Sequence, residues 1–195
     1  MKSIKENVSS EIVIKNSRFI GVLYKLNSLE DIDKYLNMVK ETYKDATHYP
    51  YAYIYNGYIK CSDDKEPSGT AGNVILNILK KNELNFVLCV VVRYFGKIKL
   101  GAGGLIRAYA NSTKFTINKS EIIPLTMGIN CDISFDYSLK KEVNYILTNS
   151  NIIKESYDNK ISYNIEVLDN VLDKLKELNI EIYNINCKYI EKKTY

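Results

Sequence analysis

The chain has 195 residues and a mass of 22.4 kDa, and 46% of its residues are hydrophobic. That suits one large domain or two small ones with real cores, and it excludes a disordered chain. The longest purely apolar run, Phe86 to Val92, falls far short of the roughly 20 residues that a membrane-spanning helix needs, and Met1 to Glu6 offers no apolar signal region. A soluble, cytoplasmic protein with no membrane partner is therefore expected.

The formal net charge is +4, but the excess of Ile, Lys, Asn and Tyr points to a biased genome, so the total says little about a polyanionic partner. Its placement says more: residues 1–128 hold 18 Lys+Arg against 12 Asp+Glu (net +6), and residues 129–195 hold 9 against 11 (net −2).

In chain order, Glu11 to Leu26 reads as one or two strands with Gly21 at a bend. Ser28-x-x-Asp31 is a capping-box pattern, and Leu29, Ile32, Leu36, Val39 and Tyr43 continue it as an amphipathic helix. Tyr51 to Tyr55 and Tyr58 to Ser62 form a hairpin about Asn56-Gly57. Ala71 to Lys81 is helical, Asn85 to Tyr94 is a strand too apolar to face water, and Leu105 to Lys119 is a helix. The remainder alternates cleanly: strand 129–136, helical spacing 139–147, strand 151–157, strand 161–167, helical stripe 171–178, strand 180–190. That order, β-α-β-β-α-β, is the ferredoxin-like unit, a fold that decides no function. The boundary is placed at 127/128.

The four cysteines, 61, 89, 131 and 187, all lie in strand-like segments, no two closer than 28 residues. They are read as reduced and mostly buried. With His48 as the single histidine, no metal site is expected from Cys and His.

The scarce residues gather between 48 and 107. Six of nine glycines lie at 69–104, and two of three arginines, Arg93 and Arg107, flank the glycine-rich run. The first segment is Ser62-Asp-Asp-Lys-Glu-Pro-Ser-Gly-Thr-Ala-Gly72. Its carboxylates Asp63, Asp64 and Glu66, beside Ser68 and Thr70, suit acid–base work, a divalent cation or an anion nest. The plain alternative is a solvated turn that caps the next helix through Ser68 or Thr70. The second segment is Arg93-Tyr-Phe-Gly-Lys-Ile-Lys-Leu-Gly-Ala-Gly-Gly-Leu-Ile-Arg-Ala-Tyr109. Residues 84–120 hold no acid and six bases, with Lys97 and Lys99 beside Gly101, Gly103 and Gly104. A glycine-rich loop entering a helix offers backbone N–H groups and positive potential to a phosphate. It is neither a Walker A loop nor a G-x-G-x-x-G turn, so no cofactor follows. The plain alternative is glycine for close packing, with solvated lysines. Upstream, Thr47 to Tyr53 carries His48 among Tyr49, Tyr51 and Tyr53, an aromatic surface for base stacking or ordinary strand residues.

These two segments resemble the signatures of the YigZ/IMPACT family. Ala46-Thr-His-Tyr-Pro-Tyr-Ala-Tyr53 resembles its upstream histidine motif, and Arg18-Phe-Ile its N-terminal Ser-Arg-Phe element. The resemblance spans roughly residues 10–120, and the βαββαβ part is similar to the extra domain of bacterial YigZ-type members. It implies an α+β, two-domain protein. Residues 1–127 would form an IMPACT-type N-terminal domain, an α/β sandwich folded like the second domain of a small-subunit ribosomal protein. Residues 128–195 would form the ferredoxin-like domain. It implies a link to translation but no established catalysis. Eukaryotic members restrain a translation kinase with the help of an added N-terminal domain. The motif region here begins too early in the chain to leave room for that domain, so this role is not expected. Lys65 and Lys97 stand where the family usually has glycine, and Val74 where it has proline.

The leading expectation is a translation-linked protein that binds RNA or a ribosomal surface through Arg93, Lys97, Lys99, Gly101, Gly103, Gly104 and Arg107. The cleft would be completed by His48, Asp63, Asp64, Glu66, Ser68 and Thr70. One rival is an enzyme acting on a phosphorylated small molecule, with Asp64, Glu66 and His48 as its catalytic groups. The other is a protein-binding adaptor that uses the acidic C-terminal domain.

Overall fold

A computed structural model describes residues 1–192. The chain forms two compact units, Met1–Ile123 and a second beginning at Pro124, and the described residues form two sheets and five α-helices. Among the described residues, no helix is long and apolar enough to cross a membrane.

The first unit opens with β1 (Lys2–Ile4), whose Lys2 bridges Leu84. Strands β2 (Val8–Ile14) and β3 (Ser17–Lys25) join through Lys15-Asn16, both at positive φ, the two-residue turn that matches strand twist. Helix α1 (Glu30–Thr42) follows, and Asp31 Oδ2 accepts the N–H groups of Asn27 and Ser28, the return half of the capping box. The hairpin β4 (Tyr51–Tyr55) and β5 (Tyr58–Ser62) turns at Asn56-Gly57. Then come α2 (Gly72–Lys81), β6 (Val87–Tyr94) and α3 (Gly101–Asn118).

The sheet is fully antiparallel in the order β2-β3-β6-β4-β5. Its central strands are apolar on both sides because both sides are covered. Phe19, Leu23, Val87, Cys89 and Val91 pack with Ile75 and Leu79 of α2 and Leu105 and Ala108 of α3. Ile20, Val22, Leu88, Val90 and Val92 pack with Ile32 and Val39 of α1. The three layers are therefore α1, sheet, and α2 with α3.

Two details of the first unit differ from the expectation. Gly21 makes no bend: it lies within β3, where a Cβ would fall 2.0 Å from Thr116 Oγ1 of α3. The glycine is there so that the helix can approach the strand. Helix α3 begins at Gly101 rather than Leu105, so the glycine-rich run is largely its first turn.

In the second unit, β7 (Ile122–Phe135), the short helix α4 (Lys140–Ile146), β8 (Asn151–Tyr157), β9 (Ile161–Val167), α5 (Asp169–Lys176) and β10 (Glu181–Glu191) follow in turn. The strand order is β10-β7-β9-β8, all antiparallel. Fourth beside first, then third, then second is the ferredoxin-like arrangement. Cys131, Ile133, Ile165 and Val167 pack beneath Val143 of α4 and Leu172 and Leu175 of α5. The pairing of β10 with β7 slips between Tyr183 and Asn186, where Asn184 takes φ 52°. This bulge breaks the alternation and leaves Ile185 exposed. All four cysteines are free, but Cys187 on β10 is exposed rather than buried, and Cys61 is half-buried.

Candidate functional site

The acidic segment enters the site through its hydrogen bonds. Asp63 Oδ1 accepts the N–H groups of Ala71 (3.0 Å) and Gly72 (2.8 Å), and Oδ2 accepts that of Gly69 (2.8 Å). A carboxylate placed before α2 thus caps that helix, complementing its dipole. Thr70 caps nothing: its hydroxyl donates to Pro67 O, and Ser68 is exposed. Gly72 is required for this contact, since a Cβ would lie 2.5 Å from the Ser62 carbonyl oxygen.

Asp64 clasps the histidine segment. Its Oδ2 accepts the Tyr49 N–H at 2.6 Å, and its carbonyl oxygen lies 2.8 Å from His48 Nδ1. A carbonyl only accepts, so Nδ1 carries the proton and Nε2 is left for the cleft. Nε2 stands 4.0 Å from Glu66 Oε1. Asp64 and the next residue, Lys65, both take positive φ (42° and 67°) to form this turn.

Glu66 and Arg93 are the centre. Arg93 lies on the side of the sheet that faces α3, and its Nη1 donates to Glu66 Oε1 at 2.5 Å. The Tyr109 hydroxyl of α3 donates to the same oxygen at 2.7 Å. Burial pushes the Tyr109 hydroxyl far above its ordinary pKa, and the Glu66 charge adds to that, so it stays a donor. Phe19 and Phe95 flank the guanidinium at 5.5 and 5.4 Å, and Phe19 meets Tyr109 edge to face. Arg93 Nε has no hydrogen-bond partner.

Around this pair lies a cavity of about 380 Å³ lined by Thr47, His48, Glu66, Pro67, Arg93, Phe95 and residues 99–102 with Leu105. It brings together the histidine motif, the acidic segment and the start of α3. A larger cavity of about 590 Å³ in the second unit, beside Tyr145, Asn151 and Val171, gathers none of these groups.

The bases divide. Arg93 is buried and bound to Glu66, whereas Lys97, Lys99 and Arg107 are exposed. Gly101 takes φ 69°, and Gly103 and Gly104 lie in the first turn of α3. Leu100 at its N-cap makes no side-chain cap, and no acid stands in the first turn, so the N–H groups there have no carboxylate partner. Gly96 admits the β2–β3 turn: a Cβ would fall 2.1 Å from Asn16 C, and its N–H donates to Ser17 Oγ. Lys97 takes φ 65°. Tyr49, Tyr51 and Tyr53 pack on the opposite side of the sheet, against the α1 layer, and so do not join the cavity. The three carboxylates are each engaged by N–H or O–H donors. Among the described residues no group of three or more His, Cys, Asp or Glu is placed to hold a metal.

Sequence reasoning missed Tyr109, Phe19, Phe95 and Thr47 as members of the site. Tyr109 closes the quoted signature and falls four residues after Leu105 on the buried side of α3, which was a usable signal. Thr47, whose Oγ1 accepts the Phe95 N–H, carried none.

The Impact N-terminal domain model matches residues 15–117, which hold every element of this site. The chain belongs to the IMPACT family. It is 36% identical over 187 residues to IMPACT family member YvyE of Bacillus subtilis (strain 168), covering 93% of this chain and 86% of that protein. It is 38% identical over 101 residues to IMPACT family member YigZ of Escherichia coli (strain K12), covering 49% of this chain and 50% of that protein. A crystal structure of a hypothetical protein matches 95% of this chain and 97% of its own with a TM-score of 0.62 at 24% identity, a likeness of fold. In this IMPACT family member, both lysines that replace the usual glycines sit at positive φ, where glycine is the unstrained residue.

Proposed function

We propose that this IMPACT family member is a translation-linked accessory protein that contacts RNA or a phosphate-rich ribosomal surface through Lys97, Lys99, Arg107 and the start of α3. One observation carries this reading. These exposed bases cluster beside a helix N-terminus with neither cap nor acid, in a stretch of chain, 84–120, that holds no carboxylate at all. Backbone N–H groups and cationic side chains in that combination suit phosphate oxygens and read no sequence. Arg93 supports the surface from beneath: by holding Glu66 it neutralises the nearest buried carboxylate. The family's link to translation, implied by the motif resemblance, supplies the setting.

The experiment is co-sedimentation with ribosomes and with free RNA over rising salt, comparing the wild type with a folded Lys97→Ala/Lys99→Ala/Arg107→Ala variant. The expected result is binding whose logarithm falls linearly with log salt and which the variant loses. Binding that ignores salt, or that the variant keeps, rejects the reading and moves the weight to a protein-contacting adaptor.

A further inference from the structure

We infer that the free edge of β2 is a docking site for an extended segment of a partner protein, one that alternates β-branched apolar residues and carries a carboxylate. The site shares no residue with the basic surface proposed above and does not depend on it.

The first observation is in the backbone. β2 ends the sheet of the first unit, and among the described residues it pairs with β3 alone. Ile14 and Ser17 flank the two-residue turn, so they form a hydrogen-bonded pair, and Ile12, Ser10 and Val8 repeat that pairing at every second position. The N–H and C=O groups of Ser9, Glu11 and Val13 therefore face away from the sheet, and all three residues are exposed. A seven-residue strand with such an edge is a template for one more strand.

The second observation is that this edge is unguarded while the others are not. β1 has only three residues, and β5 carries Lys60. The pairing of β8 slips between Ile152 and Lys154, and that of β10 between Tyr183 and Asn186. β2 keeps one register through all seven residues and has neither proline nor lysine. Its one charge, Glu11, is held by Arg18, which donates to both carboxylate oxygens at 2.8 and 3.0 Å. Short strands, lysines, prolines and bulges keep edges from pairing, and a long flat edge without them suits a strand that is to be covered.

The third observation identifies the occupant. Ile12 and Ile14 pack toward α3, and with Asn111, Lys114, Phe115 and Asn118 they line an open groove of about 370 Å³. From Asn111 to Asn118 the helix rises about 10 Å, the length of about three residues of extended chain. Phe115 is 41% exposed in this groove, and Val13, on the other side of the strand, is 62% exposed. A strand laid on the edge sets alternate side chains against Phe115 with the two isoleucines and against Val13, which calls for β-branched apolar residues. Lys114 is the one charged group in the lining and has no carboxylate partner among the described residues. Glu11 lies on the opposite side of the strand, with Arg18 and Tyr94, and residues 84–120 hold no acid. A carboxylate on the incoming segment supplies that partner. A second copy of β2 does not, because antiparallel pairing of two such edges sets both Lys114 side chains on one side of the joined sheet and both Glu11 side chains on the other.

The probe is a display library of random peptides of about eight residues, long enough to cover the edge, selected on the full chain and in parallel on a Val13→Pro variant. Proline at 13 removes one outward N–H and leaves the β2–β3 ladder whole, so the variant should keep the wild-type melting temperature. The wild type is expected to enrich peptides with alternate Val, Ile or Thr and with Asp or Glu, and an enriched peptide should bind it at least about tenfold more tightly than the variant. Methylating alternate backbone amides of that peptide should abolish binding, a test that holds even where Val13→Pro unfolds. Lys114→Glu should reverse the charge preference, enriching Lys and Arg in place of the acids. No enrichment, equal binding by wild type and folded variant, indifference to amide methylation, or enriched peptides without an excess of acids overturns the proposal. A chain that sediments as a dimer, and as a monomer once Val13→Pro is made, gives the edge to a second copy and overturns the acidic segment as its occupant. Ribosome co-sedimentation of Val13→Pro should match the wild type, so this edge and the basic surface stand or fail separately.

Discussion

Arg93 Nη1 stands 2.5 Å from Glu66 Oε1, and the two side chains expose only 6% and 2% of their surface to solvent. They join a central strand, β6, to the turn that precedes α2, and through the Tyr109 hydroxyl they reach α3 as well. A buried pair of this kind is weak evidence for added stability, because desolvation offsets most of the attraction. Breaking it is another matter, since either partner left alone is an uncompensated buried charge.

Glu66→Ala should therefore destabilise the first unit by about 3–5 kcal/mol, whereas Tyr109→Phe, which removes one donor from an oxygen that keeps another, should cost about 1–2 kcal/mol. The double variant Glu66→Ala/Arg93→Ala should lose clearly less than the sum of its singles. Urea unfolding of the wild type, the three single variants and the double variant measures this. A Glu66→Ala cost below about 1 kcal/mol would mean that water reaches the pair.

Lys65 and Lys97 hold positive φ without being glycine or asparagine. Left-handed geometry costs a β-carbon residue about 1–2 kcal/mol, part of which glycine gives back through its greater freedom when unfolded. Lys65→Gly and Lys97→Gly should each raise stability by up to about 1 kcal/mol, and Lys→Ala at the same sites should not. Thermal melts of the two series decide it, and equal behaviour of Gly and Ala would remove the backbone explanation.

Gly96 and Gly103 should respond in opposite directions. An alanine at 96 drives its Cβ into the backbone of Asn16 and Ser17, and a cost of about 2 kcal/mol or more is expected. An alanine at 103 meets only the tip of the Arg107 side chain at 3.7 Å, so helix propensity dominates and stability should rise by about 0.5–1 kcal/mol. Denaturant midpoints report both. A tolerated Gly96→Ala would show that the β2–β3 turn can move away.

Burial pushes the Cys89 thiol from its ordinary value of 9.0 up to about 12, and the Cys131 thiol up to about 11. The folded state thus holds these protons more tightly than the unfolded chain does. Their contribution to stability is fully present below about pH 9 and is lost as pH rises from there through 11 and 12. In the native protein at neutral pH a thiol reagent should modify exposed Cys187 quickly and half-buried Cys61 more slowly. Cys89 and Cys131 should react only on unfolding. Peptide mapping after timed labelling checks the order, and early labelling of Cys89 would contradict the burial of β6.

Much of the fold is written in short-range chemistry. The 129–190 alternation of period-2 and helical spacing marks the six elements of the second unit, most plainly β9, where every second residue is buried, and the Asn56-Gly57 hairpin follows from residues that tolerate positive φ. Gly21 was misread for the opposite reason. A glycine in a strand looks the same locally whether it bends the chain or admits a helix, and here the deciding atom, Thr116 Oγ1, lies 95 residues away. The start of α3 was placed four residues late because glycine is a poor helix former, a preference that tertiary packing of Leu105, Ala108 and Tyr109 overrides.

The sequence by itself determined the two-domain α+β plan, the family signatures and the gathering of His48, Glu66, Arg93 and the glycine-rich run into one candidate site. All of these depend on residue type and local spacing. Only the tertiary structure decided the division of labour among those residues. It buried Arg93 against Glu66, turned Asp63 into the cap of α2, bound Asp64 to the His48-Tyr49 backbone, set the tyrosines on the far side of the sheet, and left Lys97, Lys99 and Arg107 to solvent. The reason is physical. Whether a charged side chain is a ligand contact or a structural partner depends on the dielectric and donors around it, and these are supplied by segments distant in the chain.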